Sequence, residues 1–164
     1  SSIVKPIGVI IADVPTWRHL PIVSHWLNMM KCVYINRENN REGMKSIIKA
    51  SENIKKGQSM AIFPEGDLTW VKDPDALISD FKPGAFKASL LSKTPIVPVV
   101  LYDTYKVFNR NSIRKAYNEV HYLEAIPYED FKDLKTVEIA DLVKERIRLK
   151  LDELDSIYSE NCTA

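Results

Sequence analysis

The sequence predicts an α/β fold, a single domain with a mostly parallel central sheet flanked by helices, and three observations carry the prediction. Short unbroken apolar runs such as Pro6-Ile7-Gly8-Val9-Ile10-Ile11-Ala12 read as strands covered on both faces. These runs alternate with segments of helical periodicity, the order that builds strand–helix–strand units. The chain closes on a long amphipathic segment able to pack across such a sheet.

With 164 residues, 45% of them hydrophobic, the chain can enclose one sizeable core, and one domain over residues 1–164 is the simplest reading. The first strand, residues 6–12, begins almost at the start of the chain. A central strand seldom opens a domain, so the domain is expected to be cut short at its N-terminus.

The apolar positions Trp17, Leu20, Val23, Leu27 and Met30 then recur at helical spacing. Pro21 falls inside the stripe, which predicts two short helical pieces or a kink. Residues 32–35 read as a second strand. Residues 41–55 read as a helix with Met44, Ile47, Ile48 and Ile54 facing inward and Gly57 placed to stop it. A third strand spans residues 59–63.

The polar connection over residues 64–83 is long enough to suggest a functional loop. Residues 84–92 read as a short helix, 96–101 and 118–125 as strands. The last helix, residues 136–158, carries Ile139, Leu142, Val143, Ile147, Leu151 and Leu154 on one face.

A formal net charge of +1 supplies no overall field for nucleic acid. Cys32 and Cys162 lack metal-ligand spacing, and no metal cluster is visible. No run of about eighteen apolar residues could cross a bilayer, and the chain opens without signal-peptide order. As given, it is expected to be soluble or bound to a surface.

Three constellations lie at predicted strand ends: Asn36-Arg37 with Arg41, then Glu65-Gly66-Asp67, then Lys82-Pro83-Gly84. In an open α/β sheet the carboxyl ends of the strands converge on one crevice, so these segments are candidates for one site. A carboxylate such as Glu65 at the end of a buried strand needs a partner or a task, and bonding to nearby backbone amides is the plain alternative. Arg37 could grip two oxygens with its planar fork, or be a solvated loop arginine beside Glu38.

In their order these segments resemble the conserved blocks of the 1-acylglycerol-3-phosphate acyltransferase family, also called PlsC-like. Val33-Tyr34-Ile35-Asn36-Arg37 is similar to its second block, with asparagine at the acidic position. Phe63-Pro64-Glu65-Gly66 resembles the third and Pro95-Ile96-Val97-Pro98-Val99 the fourth, while Phe81-Lys82-Pro83-Gly84-Ala85-Phe86 fits the glycine-headed helix between them.

The resemblance implies an enzyme of phospholipid biosynthesis that moves a fatty acyl group from acyl-CoA or acyl-carrier protein to a lysophospholipid hydroxyl, without a cofactor. It implies that Glu65 and Gly66 belong to the catalytic site. Asn36, Arg37, Arg41, Pro64, Asp67, Lys82 and Gly84 are then the acceptor-binding residues. It further implies a peripheral position on the cytoplasmic side of a membrane.

Two departures stand out. The family's first block is a histidine followed five positions later by an aspartate, the base that relieves the attacking hydroxyl of its proton. Here Ser24 follows His19, Met30 follows His25 and Ile126 follows His121 at that spacing, so base and aspartate are absent from the chain and the fragment is expected to be inactive. After Glu-Gly, the family's Thr-Arg-Ser is replaced by Asp67-Leu68-Thr69. Asp67 would repel a phosphate, and Lys72 or Lys82 could restore positive charge.

Trp17, Leu20, Pro21, Ile22, Trp26, Leu27, Met29 and Met30, with Arg18 and Lys31 at the margins, suit either a bilayer interface or the core face of a helix. A non-catalytic lipid- or protein-binding module on the same scaffold is the alternative to the enzyme. A nucleotide-binding domain fits less well, because no glycine-rich phosphate loop follows a strand.

Overall fold

The computed structural model describes residues 7–12, 20–36, 39–66, 78–102 and 118–161. The chain divides into two compact units, one made of Ser1–Pro64 and Gly84–Thr94, the other of Glu65–Pro83 and Pro95–Ala164.

In the first unit β1 (Gly8–Ala12) lies between β2 (Val33–Ile35) and β3 (Met60–Ala61) in a parallel three-stranded sheet. Ile10 is opposite Val33, and Gly8 is opposite Met60. The third strand is shorter than its apolar run: Ile62 still packs against the core, while Phe63 is exposed.

The helix α1 (Pro21–Met29) is a single piece, with Pro21 in its first turn. A proline there loses no hydrogen bond, since the first amides of a helix have no partner within it, so it neither breaks nor kinks the helix from Pro21 onward, while the first half of the expected stretch lies outside the described residues. None of its residues is buried. The residues ahead of it, including Trp17, Arg18 and His19, lie outside the described residues.

Asn39 caps α2 (Asn40–Lys55), its Oδ1 accepting from the amides of Arg41 at 3.1 Å and Glu42 at 3.3 Å. The helix stops as expected: Gly57 N–H bonds the Ile54 carbonyl at 2.8 Å and Gln58 N–H that of Asn53 at 3.2 Å. Its inner face differs from the expected one. Ile47 is buried and Ile54 packs against the core, but Met44 and Ile48 are exposed.

The buried stripe of α2 instead includes Ala50 and Ser51. A 3₁₀ turn (Pro83–Phe86) leads into α3 (Lys87–Ser92), which packs on α2 and brings Ala88 into the same cluster as Ile10, Val33, Ile47 and Ala50. Fully enclosed alanines on the two helices permit close approach, which larger side chains would prevent.

In the second unit β4 (Val99–Tyr102) pairs antiparallel with β5 (Glu119–Tyr122), Val100 opposite His121 and Tyr102 opposite Glu119. Ile96 adds a bridge to Ile126. Phe131, in α4 (Tyr128–Phe131) just after Pro127, is fully buried; such burial contributes roughly 1.5–3 kcal/mol. The long helix α5 (Thr136–Asn161) opens with Glu138 accepting from the Lys135 amide at 2.6 Å. Leu151 and Leu154 of α5 pack on Val100, joined by Ile78, Tyr102, Leu123 and Ile147.

Candidate active site

The second-block residues sit where β2 runs into α2. Asn36 donates its side-chain N–H to Glu42 Oε2 at 2.8 Å, and Ser46 Oγ donates to the Tyr34 carbonyl at 2.7 Å, so two bonds tie strand to helix. A Cβ on Gly43 would lie 3.3 Å from the Asn36 carbonyl, and the bare backbone permits that approach. The asparagine has a local reason. An aspartate there would set a carboxylate against Glu42, whereas the amide donates to it. Arg41 is exposed in the first turn of α2, and Arg37 lies outside the described residues.

The third-block residues Glu65 and Gly66 belong to the second unit, and the connection returns to them. Ser79 donates both its amide, at 3.0 Å, and its hydroxyl, at 2.9 Å, to Glu65 Oε2. The carboxylate is half-buried, as is Ser79. Gly66 is buried with φ +74°, a backbone state that disfavours any side chain. A Cβ on it would come 2.8 Å from Lys82 Nζ and 2.9 Å from its Cε. The lysine stem therefore lies across the glycine.

The structure thus brings Glu65, Gly66 and Lys82 together with Ser79, and separately joins Asn36 to the first turn of α2. Pro64 is half-buried, Gly84 is exposed with open space where a Cβ would be, and Asp67 and Lys72 lie outside the described residues. His25 is exposed on α1. Among the described residues no cluster of His, Cys, Asp or Glu could hold a metal ion.

Ser79 went unnoticed in the sequence because no spacing rule links positions fourteen apart through a loop. A second polar cluster was equally hidden. Glu119 is bonded by the hydroxyl of Tyr158 and by His121 Nε2 at 2.7 Å; these two hydrogen bonds, Tyr158 foremost, hold its carboxyl below the ordinary value of 4.5. Tyr158 also stacks on Tyr102, whose hydroxyl donates to Asp155 at 2.7 Å.

Comparison with known proteins places these segments in context. Residues 3–102, a span holding every candidate site residue, match the model of the acyltransferase family. The chain is 30% identical over 138 residues to the 1-acyl-sn-glycerol-3-phosphate acyltransferase of Borreliella burgdorferi, covering 82% of this chain and 53% of that protein. It is 27% identical over 157 residues to the enzyme of that name from Saccharomyces cerevisiae, covering 91% and 50%.

Among solved structures, that of the 1-acyl-sn-glycerophosphate acyltransferase PlsC from Thermotoga maritima aligns with a TM-score of 0.69 at 19% identity, over 91% of this chain and 57% of that one, a likeness of fold. The chain spans about half the length of the curated relatives it matches. Since the family match takes in more than half of its residues, this chain belongs to the acyltransferase family.

Proposed function

We propose that this protein transfers a fatty acyl group from acyl-CoA or acyl-carrier protein to the free hydroxyl of a lysophospholipid such as 1-acylglycerol-3-phosphate. The acceptor oxygen forms an ester with the acyl carbon, the thioester bond breaks, and the hydroxyl proton passes through a base to the departing carrier thiolate, which leaves as the thiol. Glu65 and Gly66 shape the acceptor site. By the family resemblance, Asn36, Arg37, Arg41, Pro64, Asp67, Lys82 and Gly84 are assigned to acceptor binding.

The observation that carries this reading is the Glu65–Gly66 turn. A half-buried carboxylate fixed by Ser79 and a positive-φ glycine crossed by a lysine offer acceptor and donor groups side by side, which suits a substrate bearing a hydroxyl beside a phosphate. None of the three histidines has an aspartate five residues on. The reading therefore assigns the base to a histidine–aspartate block outside these 164 residues, and residues 1–164 alone do not turn over.

The site works at a membrane surface, peripheral and on the cytoplasmic side. Ile22, Trp26 and Met29, spaced four and three apart on one face of α1, are 74%, 66% and 64% exposed, as an interfacial helix requires. Among the described residues no helix is long and apolar enough to cross a membrane.

The test follows thiol release when the full-length protein is given an acyl-CoA, or an acyl-carrier protein charged with a fatty acid, together with 1-acylglycerol-3-phosphate. Acceptor-dependent release with at least one donor is expected. Release no faster than the protein-free blank with both donors would sink the reading.

A further inference from the structure

We propose that Ser79 is a positioning residue for the Glu65 carboxylate, setting the direction in which that carboxylate meets the acceptor; the inference rests on the acyl-transfer reading above. Two donors of one residue, the Ser79 amide and hydroxyl, converge on the same oxygen, Oε2, at 3.0 and 2.9 Å. A carboxylate has lone pairs on both oxygens, and fixing one oxygen from two directions fixes the plane of the group and so the aim of the other.

Ser79 is anchored through its neighbour Ile78, and a surface ion pair lies on its other flank. Ile78 packs into the cluster of Val100, Leu151 and Leu154, and Asp80 accepts from Lys144 Nζ on α5 at 2.6 Å. The aim of Glu65 is therefore set by packing in the second unit rather than by its own turn.

A carboxylate at this place accepts from hydroxyls and repels phosphate, so its target on a lysophospholipid is the glycerol hydroxyl. Disorder in its aim should then reach the acceptor and leave the thioester donor alone. That asymmetry separates positioning from a general contribution to stability.

The experiment compares Ser79→Ala, which keeps the amide and loses the hydroxyl, with Ser79→Thr, which keeps both, in the full-length protein. For Ser79→Ala, kcat/KM for 1-acylglycerol-3-phosphate is expected to fall about tenfold while KM for the acyl donor is unchanged. Ser79→Thr should recover activity to within about threefold of the parent, and both variants should unfold at the parental temperature. Acceptor kcat/KM within twofold of the parent for Ser79→Ala overturns the inference, as does equal loss in both variants with a lowered unfolding temperature. An inactive parent protein overturns the acyl-transfer reading itself and this inference with it, a result recognisable before any variant is made.

Discussion

Lys82 lies across Gly66, its ammonium nitrogen 2.8 Å and its Cε 2.9 Å from the point where a side chain on that glycine would begin. The contact couples a backbone requirement, φ +74°, to the placement of a positive charge over the glycine that follows Glu65.

Gly66→Ala meets both obstacles. The left-handed backbone costs a side-chain-bearing residue about 1–2 kcal/mol, and the new methyl displaces the lysine. Urea unfolding should show a stability loss larger than the backbone cost alone. Adding Lys82→Ala should remove the steric part and leave the backbone part. A Gly66→Ala protein as stable as the parent would show that the turn is not held in this conformation.

Lys82→Gln tests the charge. If the ammonium meets the acceptor's phosphate, KM for 1-acylglycerol-3-phosphate in the full-length protein should rise about tenfold, the scale of one charge-assisted bond. KM for a monoacylglycerol, which has no phosphate, should stay constant. Equal changes for both acceptors would remove Lys82 from phosphate recognition.

Asn36→Asp sets a second carboxylate against Glu42, whose Oε2 now accepts from the asparagine at 2.8 Å. The variant should lose about 1 kcal/mol of stability at neutral pH, and Glu42→Gln in the same background should restore it. A double variant no better than Asn36→Asp would break the proposed pairing.

The Glu119 carboxyl is depressed by its bonds to Tyr158 and His121. A depressed carboxyl stabilises the fold above its unfolded value near 4.5, and that stabilisation disappears as pH falls through the folded value. Tyr158→Phe removes the leading cause, so the Glu119 titration, followed by carboxyl NMR, should move upward toward the ordinary value. The stability that Glu119 loses on acidification should become smaller, because the loss starts from the same unfolded value and ends sooner. An unmoved titration would mean that Tyr158 does not hold the charge.

Trp26→Ser should weaken sedimentation of the protein with phosphatidylglycerol vesicles without lowering its unfolding temperature, because Trp26 is 66% exposed and supports no core. Unchanged vesicle binding would exclude this face as the contact. A lowered unfolding temperature would instead place it in packing.

Much of the fold was legible because its signals are local. Periodicity over residues 136–158 marks α5, and Gly57 marks the end of α2. Where local rules mislead, another term wins. Pro21 starts α1 instead of breaking it, since a first-turn proline has no bond to lose. Met44 and Ile48 looked like core by hydrophobicity, yet the small residues Ala50 and Ala88 decide how α2 and α3 meet, and those isoleucine and methionine side chains stay outside. The short α4 gave little periodic signal in its four residues, although Pro127 and the acidic Glu129 and Asp130 are a helix-start pattern.

By itself the sequence determined the order of strands and helices, the chemical blocks at Asn36, Glu65 and Lys82, and the family to which they point. These depend on neighbours a few residues apart, where side-chain pattern and backbone preference act directly. Tertiary structure alone decided that Ser79 grips Glu65, that Lys82 covers Gly66, that β5 runs antiparallel to β4, and that the apolar face of α1 lies open. Such pairings arise only when the chain returns upon itself and packing fixes which surfaces remain.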